Sequence, residues 1–170
     1  MITKVDRKYL EICSPNEIKV ADKPEESCKV EVKNPPDFQI NKFFYKQIGK
    51  SYRWIDRLVW DDLKWMNYTN NPNLETYIMS KNDELIGFFE LLFHKETMKC
   101  EVAYFGILDE YIGKKYGRYL LTEALKLGFR NNTKKVWLHT CSLDHKHALK
   151  NYIERGMKVF KSETINLDIN

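Results

Sequence analysis

Hydrophobic and polar residues follow one another along the chain at two spacings, one typical of strands and one typical of helices. In the first half, short strand-like runs at Lys8–Ile12 and Cys28–Val32 are separated by turn-rich segments. Apolar residues then recur at helical spacing over Asp37–Gly49, where Gly49 suits the C-cap. Asp61 is expected to cap a second helix. The first half therefore predicts two short strands and two helices.

The second half predicts a strand meander followed by alternating helices and strands. Three strand candidates, joined by the turns KND and HKET, are expected to pair antiparallel. They are followed by a helix with an apolar stripe, a buried strand, a helix that Asp144 caps and Gly156 ends, and a last strand. The meander strands are Thr76–Ser80, Glu84–Phe93 and Met98–Ile107, and the later elements are the stripe from Leu120 to Phe129, the strand Lys134–Thr140, the helix Asp144–Arg155 and the strand Met157–Asn166.

Composition limits the class of protein. The chain has 170 residues, 43% of them hydrophobic, so residues 1–170 are expected to form one domain, of which residues 1–35 are the least regular. The net charge of +4 is spread along the chain and does not demand a nucleic acid. No apolar run resembles a signal peptide or a membrane span, so a cytoplasmic location is expected. The four cysteines form no C-x-x-C pair, so they are expected to be reduced thiols. They are Cys13, Cys28, Cys100 and Cys141.

A basic, glycine-containing loop, EYIGKKYGRYLLTEAL, runs from Glu110 to Leu125 into a predicted helix. Gly113 and Gly117 allow tight turns without a Cβ that would obstruct a ligand. The free N–H groups at the helix start suit a phosphate group. The spacing matches neither the phosphate loop G-x-x-x-x-G-K-[ST] nor the dinucleotide motif G-x-G-x-x-G. Positive side chains at this predicted anion site are Lys114, Lys115 and Arg118.

This loop resembles the acyl-CoA pyrophosphate loop of the GNAT acetyltransferase superfamily, whose pattern is R/Q-x-x-G-x-G/A. When the loop is aligned on Gly117, Ile112 replaces the usual Arg or Gln and Lys115 replaces the first Gly. A second block, DHKHALKNYIERGMKVF, is similar to the superfamily's N-x-x-A-x-x-x-Y-x-x-x-G-F region. Its matching residues are Ala148, Tyr152, Gly156 and Met157, while His145 stands where Asn is usual. The segments WIDRLVW, YFGILDEYIGKKYG and VWLHTCSLDH are similar to a bacterial subgroup of the superfamily.

The resemblance implies a single-domain α/β (α+β) GNAT-like fold, with a mixed, mostly antiparallel sheet, a splayed central strand and flanking helices. Residues 98–165 would carry the acyl-CoA-binding core. It also implies an N-acetyltransferase that uses acetyl-CoA, with direct attack of a primary amine of a small molecule or peptide on the thioester. The implied cofactor-binding residues are Phe105, Gly106, Ile107, Gly113, Lys114, Lys115, Tyr116, Gly117, Arg118 and His145.

Acyl transfer requires a neutral amine, a stabilised oxyanion and a proton for the departing thiolate. The resemblance makes Tyr152 the acid, because a phenol can give its proton to a thiolate. Glu101 is the candidate base, and strand alternation would place it on one face with Phe105. Glu90 acting through a bridging water, or water alone, are alternatives. Gly106 fits either a close approach of the ligand or simple packing.

The aromatic segment FFYKQIGKSYRWIDRLVWDDLKWMNY offers a wall for the acceptor. A small cationic or aromatic amine would suit it, through cation–π contacts and a carboxylate. The alternative is a core layer of aromatic rings with a clamp between Asp56 and Arg57. The predicted acceptor-binding residues are Trp54, Asp56, Arg57 and Glu90.

Four other interpretations compete with the enzyme. The departures at Ile112 and Lys115 favour a non-catalytic acyl-CoA-binding module. The histidines do not have a zinc spacing, so no metal is expected, and Cys141 with His139 is only a weak nucleophile–base pair. The basic loop lacks aromatic platforms beside it on which RNA bases could stack, which disfavours RNA binding. No membrane partner is expected. A homodimer is left open.

Overall fold

The computed structural model describes residues 1–168, and the last two residues of the expected 1–170 domain lie outside that range. The strands are β1 (Ile2–Ile12), β2 (Cys28–Val32), β3 (Leu74–Lys81), β4 (Glu84–His94), β5 (Lys99–Ile107), β6 (Lys135–Cys141) and β7 (Lys158–Asp168). The helices are α1 (Phe38–Tyr52), α2 (Asp62–Thr69), α3 (Tyr116–Gly128) and α4 (Ala148–Glu154). The strands form one mixed sheet in the order β2-β3-β4-β5-β6-β1-β7.

The centre of the sheet is splayed, as predicted. Strands β3, β4 and β5 form the predicted antiparallel meander. Strand β5 pairs with β6 in parallel only from Lys99 to Glu101, and beyond Glu101 the two strands diverge. A β-bulge lies at the same place, because Glu90 pairs with Tyr104 and Leu91 with Val102, which leaves Ala103 without a partner on β4. One edge of β5 is thereby freed from pairing over the rest of its length.

Strand β1 is longer than predicted and lies inside the sheet. The sequence predicts a strand only over Lys8–Ile12, whereas β1 begins at Ile2. It pairs antiparallel with β6 on one side and with β7 on the other. Pairing on both edges satisfies the backbone of residues whose side chains alone give no clear alternation. The N-terminal segment is thus part of the sheet and borders the splayed region.

Helices cover both faces of the sheet. Neighbouring residues Phe88 and Phe89 on β4 point to opposite faces. Phe88 is stacked on Phe44 of α1 with ring centroids 4.9 Å apart. Phe89 belongs to the core that α3 and α4 complete. We refer to these as the α1/α2 face and the α3/α4 face.

The predicted start of α2 is confirmed, whereas the predicted end of α1 is not. The Asp61 side chain accepts a hydrogen bond from the Lys64 N–H at 2.8 Å, so the predicted cap of α2 is confirmed. The prediction that α1 ends at Gly49 is wrong, because α1 continues to Tyr52 and Arg53 takes the left-handed C-cap position with φ 58°. A Cβ on Gly49 would lie 2.6 Å from the Trp54 Cβ, so this glycine makes room for the returning chain instead of ending the helix.

Two further sequence expectations concern the residues from 1 to 168. All four cysteines are free. Within this range no helix has the length and apolar character needed to cross a bilayer.

Candidate active site

A cleft of about 1290 Å³ lies where β5 and β6 diverge. Gly117 of α3 and Tyr152 of α4 line it from the α3/α4 face. Trp54, Asp56 and Glu101 line it from the α1/α2 face. Since residues of both faces line one space, the cleft runs through the gap in the sheet and has a mouth on each side.

The mouth on the α3/α4 face is the start of α3. Gly113 has a φ of +82° and Lys115 a φ of 69°, which turn the loop sharply into the helix at Tyr116. No side chain in the described part of the chain caps this helix end, so its first N–H groups remain free for a ligand. A Cβ on Gly117 would meet nothing closer than 3.9 Å, so the backbone here is open to the cleft. These features fit an anion such as a pyrophosphate.

Two of the predicted cofactor-binding side chains lie elsewhere. Tyr116 is only 3% exposed, and its hydroxyl donates to the Glu25 Oε1 at 3.0 Å. It belongs to the apolar stripe of α3, so only its backbone is near the cleft. The Lys114 ammonium lies 5.7 Å from the Tyr111 ring centroid and is outside the cleft lining. The charged side chains of the loop that line the cleft are those of Lys115 and Arg118.

The free edge of β5 supplies backbone donors. The Leu108 N–H donates to the Ile86 carbonyl, which belongs to β4. Because backbone N–H groups alternate in direction along a strand, those of Phe105 and Ile107 point away from β4 and towards the cleft. Gly106 is explained by packing, because a Cβ there would lie 2.8 Å from Ile48 of α1. Of the two roles that the sequence leaves open for Gly106, the structure favours packing.

Tyr152 lies in the cleft wall on the α3/α4 face. It is 7% exposed, lines the cleft, and packs edge-on against Phe105 with centroids 6.3 Å apart. No group within residues 1–168 forms a hydrogen bond with its hydroxyl. Burial raises the pKa of Tyr152, and the nearby Asp144 and Cys141 raise it further. The phenol is therefore protonated at neutral pH and has a proton to donate.

The turn before α4 differs from its prediction. Asp144 does not cap the helix, which begins only at Ala148. Its carboxylate instead accepts hydrogen bonds from the Thr140 hydroxyl and from the Cys141 N–H, and so holds the end of β6. His145 lines the cleft, and its Nδ1 accepts from the His147 N–H at 3.1 Å.

Cys141, near this turn, is not activated as a nucleophile. Burial raises the pKa of the Cys141 thiol, with a further contribution from Asp144, so the thiol stays protonated. Among residues 1–168, no group of three His, Cys, Asp or Glu side chains is placed to hold a metal ion.

Glu101 lies at the point where the sheet opens. Its side chain is partly exposed to the cleft, and its Oε2 lies 3.5 Å from the His94 Nε2. The prediction that Glu101 and Phe105 share a face is wrong, because the bulge at Ala103 shifts the alternation. Glu101 pairs with Leu92 and Phe105 with Phe89, which are an odd number of residues apart on β4. Glu101 therefore faces the mouth on the α1/α2 side.

Glu90 and Arg57 form a buried pair that closes this side of the core. Glu90 is 0% exposed and Arg57 6% exposed, and Arg57 Nη1 lies 3.0 Å from Glu90 Oε1. The Tyr68 hydroxyl and the Asn41 side-chain amide also donate to Glu90, each at 2.7 Å. Burial alone would lower the pKa of Arg57, but the charge of Glu90 together with Tyr68 and Tyr104 outweighs it, and the pKa is raised. Both groups are thus held by protein partners.

This pair corrects two predictions. The acid that clamps Arg57 is Glu90 and not Asp56, which is exposed and lines the cleft. Glu90 itself is outside the cleft lining, so its predicted contact with an acceptor and its role as a water-linked base do not fit its position.

The aromatic segment divides between the core and the cleft. Trp65 is 1% exposed and, with Trp60, lies near the Arg57 guanidinium, which is 5.5 Å from the Trp65 ring and 4.8 Å from the Trp60 ring. Trp54 lines the cleft and packs edge-on against Tyr104 at 4.7 Å. A core layer therefore fits Trp60 and Trp65, without the predicted Asp56–Arg57 clamp, while the acceptor wall stays a prediction for Trp54.

Several cleft residues carry no local signal in the sequence. Asn151 Nδ2 donates to the Gly117 carbonyl at 3.2 Å and joins α4 to the start of α3. Tyr104 covers the cleft beside Trp54. His139 lies on β6, and burial, followed by the charge of Arg7, lowers its pKa. Arg7 comes from β1, whose place beside β6 only the assembled sheet reveals.

A family comparison agrees with this architecture. The model of the acetyltransferase (GNAT) family matches residues 39–157, which is more than half of the chain. The protein therefore belongs to the GNAT acetyltransferase family. A comparison with curated proteins finds no match.

Solved structures similar to this chain carry the same fold. A GCN5-related N-acetyltransferase from Sphaerobacter thermophilus has a TM-score of 0.73 and 15% identity, covering 95% of this chain and 50% of its own. One from Kribbella flavida has a TM-score of 0.65 and 14% identity, covering 97% of this chain and 58% of its own. An aminoglycoside acetyltransferase from an uncultured soil metagenomic sample has a TM-score of 0.65 and 11% identity, covering 78% and 90%. The chain thus spans about half the length of the first two relatives.

Proposed function

We propose that the protein is a cytoplasmic N-acetyltransferase that moves the acetyl group of acetyl-CoA to a primary amine of a small molecule or peptide by direct attack. The observation that carries this proposal is the single cleft through the splayed sheet. It joins an uncapped helix start, free backbone donors and a protonated phenol on one side to a carboxylate on the other. The free cysteines fit a reducing compartment.

The residues around the α3/α4 mouth fit acetyl-CoA, which would supply the acetyl group as an activated thioester. The N–H groups at the start of α3, with Lys115 and Arg118, would hold the pyrophosphate. The N–H groups of Phe105 and Ile107 would hold pantetheine and donate to the thioester oxygen. Tyr152 would give its proton to the departing thiolate.

The acceptor would enter from the α1/α2 face. Glu101 would take a proton from the ammonium group, directly or through water, so that a neutral amine is present. Trp54 and Asp56 would line its path. This division gives each mouth of the cleft one substrate.

The deciding experiment is to incubate the protein with acetyl-CoA and a panel of primary amines while following the release of free thiol. Thiol release that depends on the amine supports the enzyme. Tight binding of CoA with no turnover for any amine would instead favour an acyl-CoA-binding module.

We expect Gly117→Asp to weaken acetyl-CoA binding by at least about tenfold, because it brings a negative charge to the helix start. Gly117→Ala is the matched control. Its added Cβ carries no charge and would make only ordinary contacts with the protein at 3.9 Å, so it should weaken binding much less than the Asp variant. Calorimetric titration measures both. Equal affinity of the folded Asp variant and the wild type would remove this loop from the cofactor site.

We expect Glu101→Gln to move the pH optimum of turnover upward, because the amine must then lose its proton without help from a carboxylate. Glu96→Gln, an exposed acid outside the cleft, should leave the pH profile unchanged. The measurement is kcat/KM against pH for both variants. An unaltered profile for Glu101→Gln would exclude Glu101 as the base.

A further inference from the structure

We propose that the acceptor is an amino-acid-like molecule that carries a carboxylate beside its amine, and that Arg7 binds this carboxylate. This inference rests on the proposed function and names the substrate class of the same site. It begins with the position of β1 inside the sheet, which brings a charged side chain from the N-terminal segment to the acceptor mouth.

Arg7 lies on the same face as the candidate base. In the pairing of β1 with β6, Arg7 is opposite Cys141 and Tyr9 is opposite His139. In the pairing of β5 with β6, Glu101 is opposite Trp137, which is an even number of residues from Cys141. Arg7 and Glu101 therefore share the α1/α2 face, and both line the cleft. The electrostatic influence of Arg7 on the pKa of His139 agrees with this closeness.

The Arg7 guanidinium has donors to spare. It forms no hydrogen bond with any group within residues 1–168, and its Nε is buried without a partner. Its nearest acid is Glu163, at 3.8 Å from Nη1, which is too far for a hydrogen bond. Glu163 already accepts the Tyr9 hydroxyl at 2.8 Å and lies 3.5 Å from the Lys161 ammonium. A partly buried arginine with unused donors favours an anionic ligand.

The surroundings favour a carboxylate over a phosphate. A guanidinium fork matches the two oxygens of a carboxylate. The charge of Glu163 offsets part of the positive charge of Arg7, which disfavours a doubly charged group. Arg57, a buried arginine that also lines the cleft, already donates hydrogen bonds to Glu90 and Tyr68.

Opposite charges in one mouth define the ligand. The carboxylates of Asp56 and Glu101 line the cleft, as do the guanidinium groups of Arg7, the exposed Arg53 and the buried Arg57, which Glu90 holds. An ammonium group can lie towards the acids while a carboxylate lies towards Arg7. A molecule with both groups, such as an α-amino acid, matches this arrangement.

The test is calorimetric binding of the twenty common L-amino acids, and of the corresponding primary amides, to the protein saturated with CoA. We expect at least one acid to bind about ten- to a hundredfold more tightly than its amide. Arg7→Ala should remove this preference, and Arg7→Lys should keep part of it. Lys8→Ala is the matched control, because Lys8 is the next cation on β1 and lies outside the cleft lining.

The outcomes separate the two proposals. Equal binding of acids and amides to the wild type, or an equal loss of both in a folded Arg7→Ala variant, would overturn the carboxylate site. Thiol release with acetyl-CoA is measured in parallel on the same compounds. Arg7-dependent binding of acids without turnover of any amine would keep the site and refute acetyl transfer. Turnover of acids and amides at equal kcat/KM would keep acetyl transfer and refute the site.

Discussion

Glu90→Ala is expected to lower the free energy of unfolding by about 3–5 kcal/mol, because it leaves the Arg57 guanidinium buried without its countercharge. The effect should be large even though Glu90 is outside the cleft. Urea unfolding measures it as a lower transition midpoint at an unchanged slope. Arg57→Leu combined with Glu90→Ala should cost less than the sum of the two single changes, because no isolated charge then remains.

The adjacent acid provides the control for this prediction. Asp56 is exposed, and among residues 1–168 the ion pair of Arg57 is with Glu90, so Asp56→Asn should change the free energy of unfolding by less than about 0.5 kcal/mol. A loss in Asp56→Asn equal to that in Glu90→Ala would mean that Asp56 is the true partner of Arg57. Additive single and double changes would mean that the buried pair contributes no coupling.

Tyr152→Phe is expected to reduce kcat by roughly ten- to a thousandfold, within and somewhat below the usual range for a positioned proton donor. The phenol is buried and protonated, and none of residues 1–168 forms a hydrogen bond with it, so its removal should leave both the fold and the affinity for acetyl-CoA nearly unchanged. Steady-state kinetics and calorimetry together measure the split between turnover and binding.

Tyr119→Phe is the matched control for the acid. Tyr119 lies on α3, is partly buried, and is outside the cleft lining. Its replacement should leave kcat at the wild-type value. If Tyr152→Phe lost cofactor affinity in proportion to kcat, Tyr152 would be a packing residue and not the acid.

Local patterns in the sequence predict the fold well where an element depends on its own residues. The alternation in the meander and the Asp61 cap are signals of this kind, and both are confirmed. The splay was implied by the family resemblance, and it appears where pairing with β6 stops after Glu101. Strand β1 depends instead on two distant partners, so its first residues give no local signal.

The site is harder to predict because one bulge changes the phase of a strand. The even spacing between Glu101 and Phe105 predicts that both side chains lie on one face of the sheet. The extra residue at Ala103 puts them on opposite faces. Gly49 shows the same limit, since it suits a helix end but is needed for the approach of Trp54. The sequence also does not indicate which charged groups pair with one another. Arg57 has an acid next to it in sequence, yet it pairs with Glu90 on β4.

The sequence predicts that the acid Tyr152, the loop at the start of α3 and the acceptor wall belong to one site. The structure brings most of these residues to one cleft. Their roles in catalysis stay predictions until the variants above are measured. The residues that the sequence does not indicate, Arg7 and Asn151 among them, enter the cleft through contacts between elements far apart in the chain.

The position of β1 between β6 and β7 also fixes when the protein can fold during synthesis. A ribosome makes β1 long before β6, so its two edges wait unpaired while most of the chain is translated. Contacts between such distant segments form slowly, because a large loop must close first. The meander can assemble early, whereas the α1/α2 side of the cleft gains Arg7 only after β6 has emerged and paired with β1.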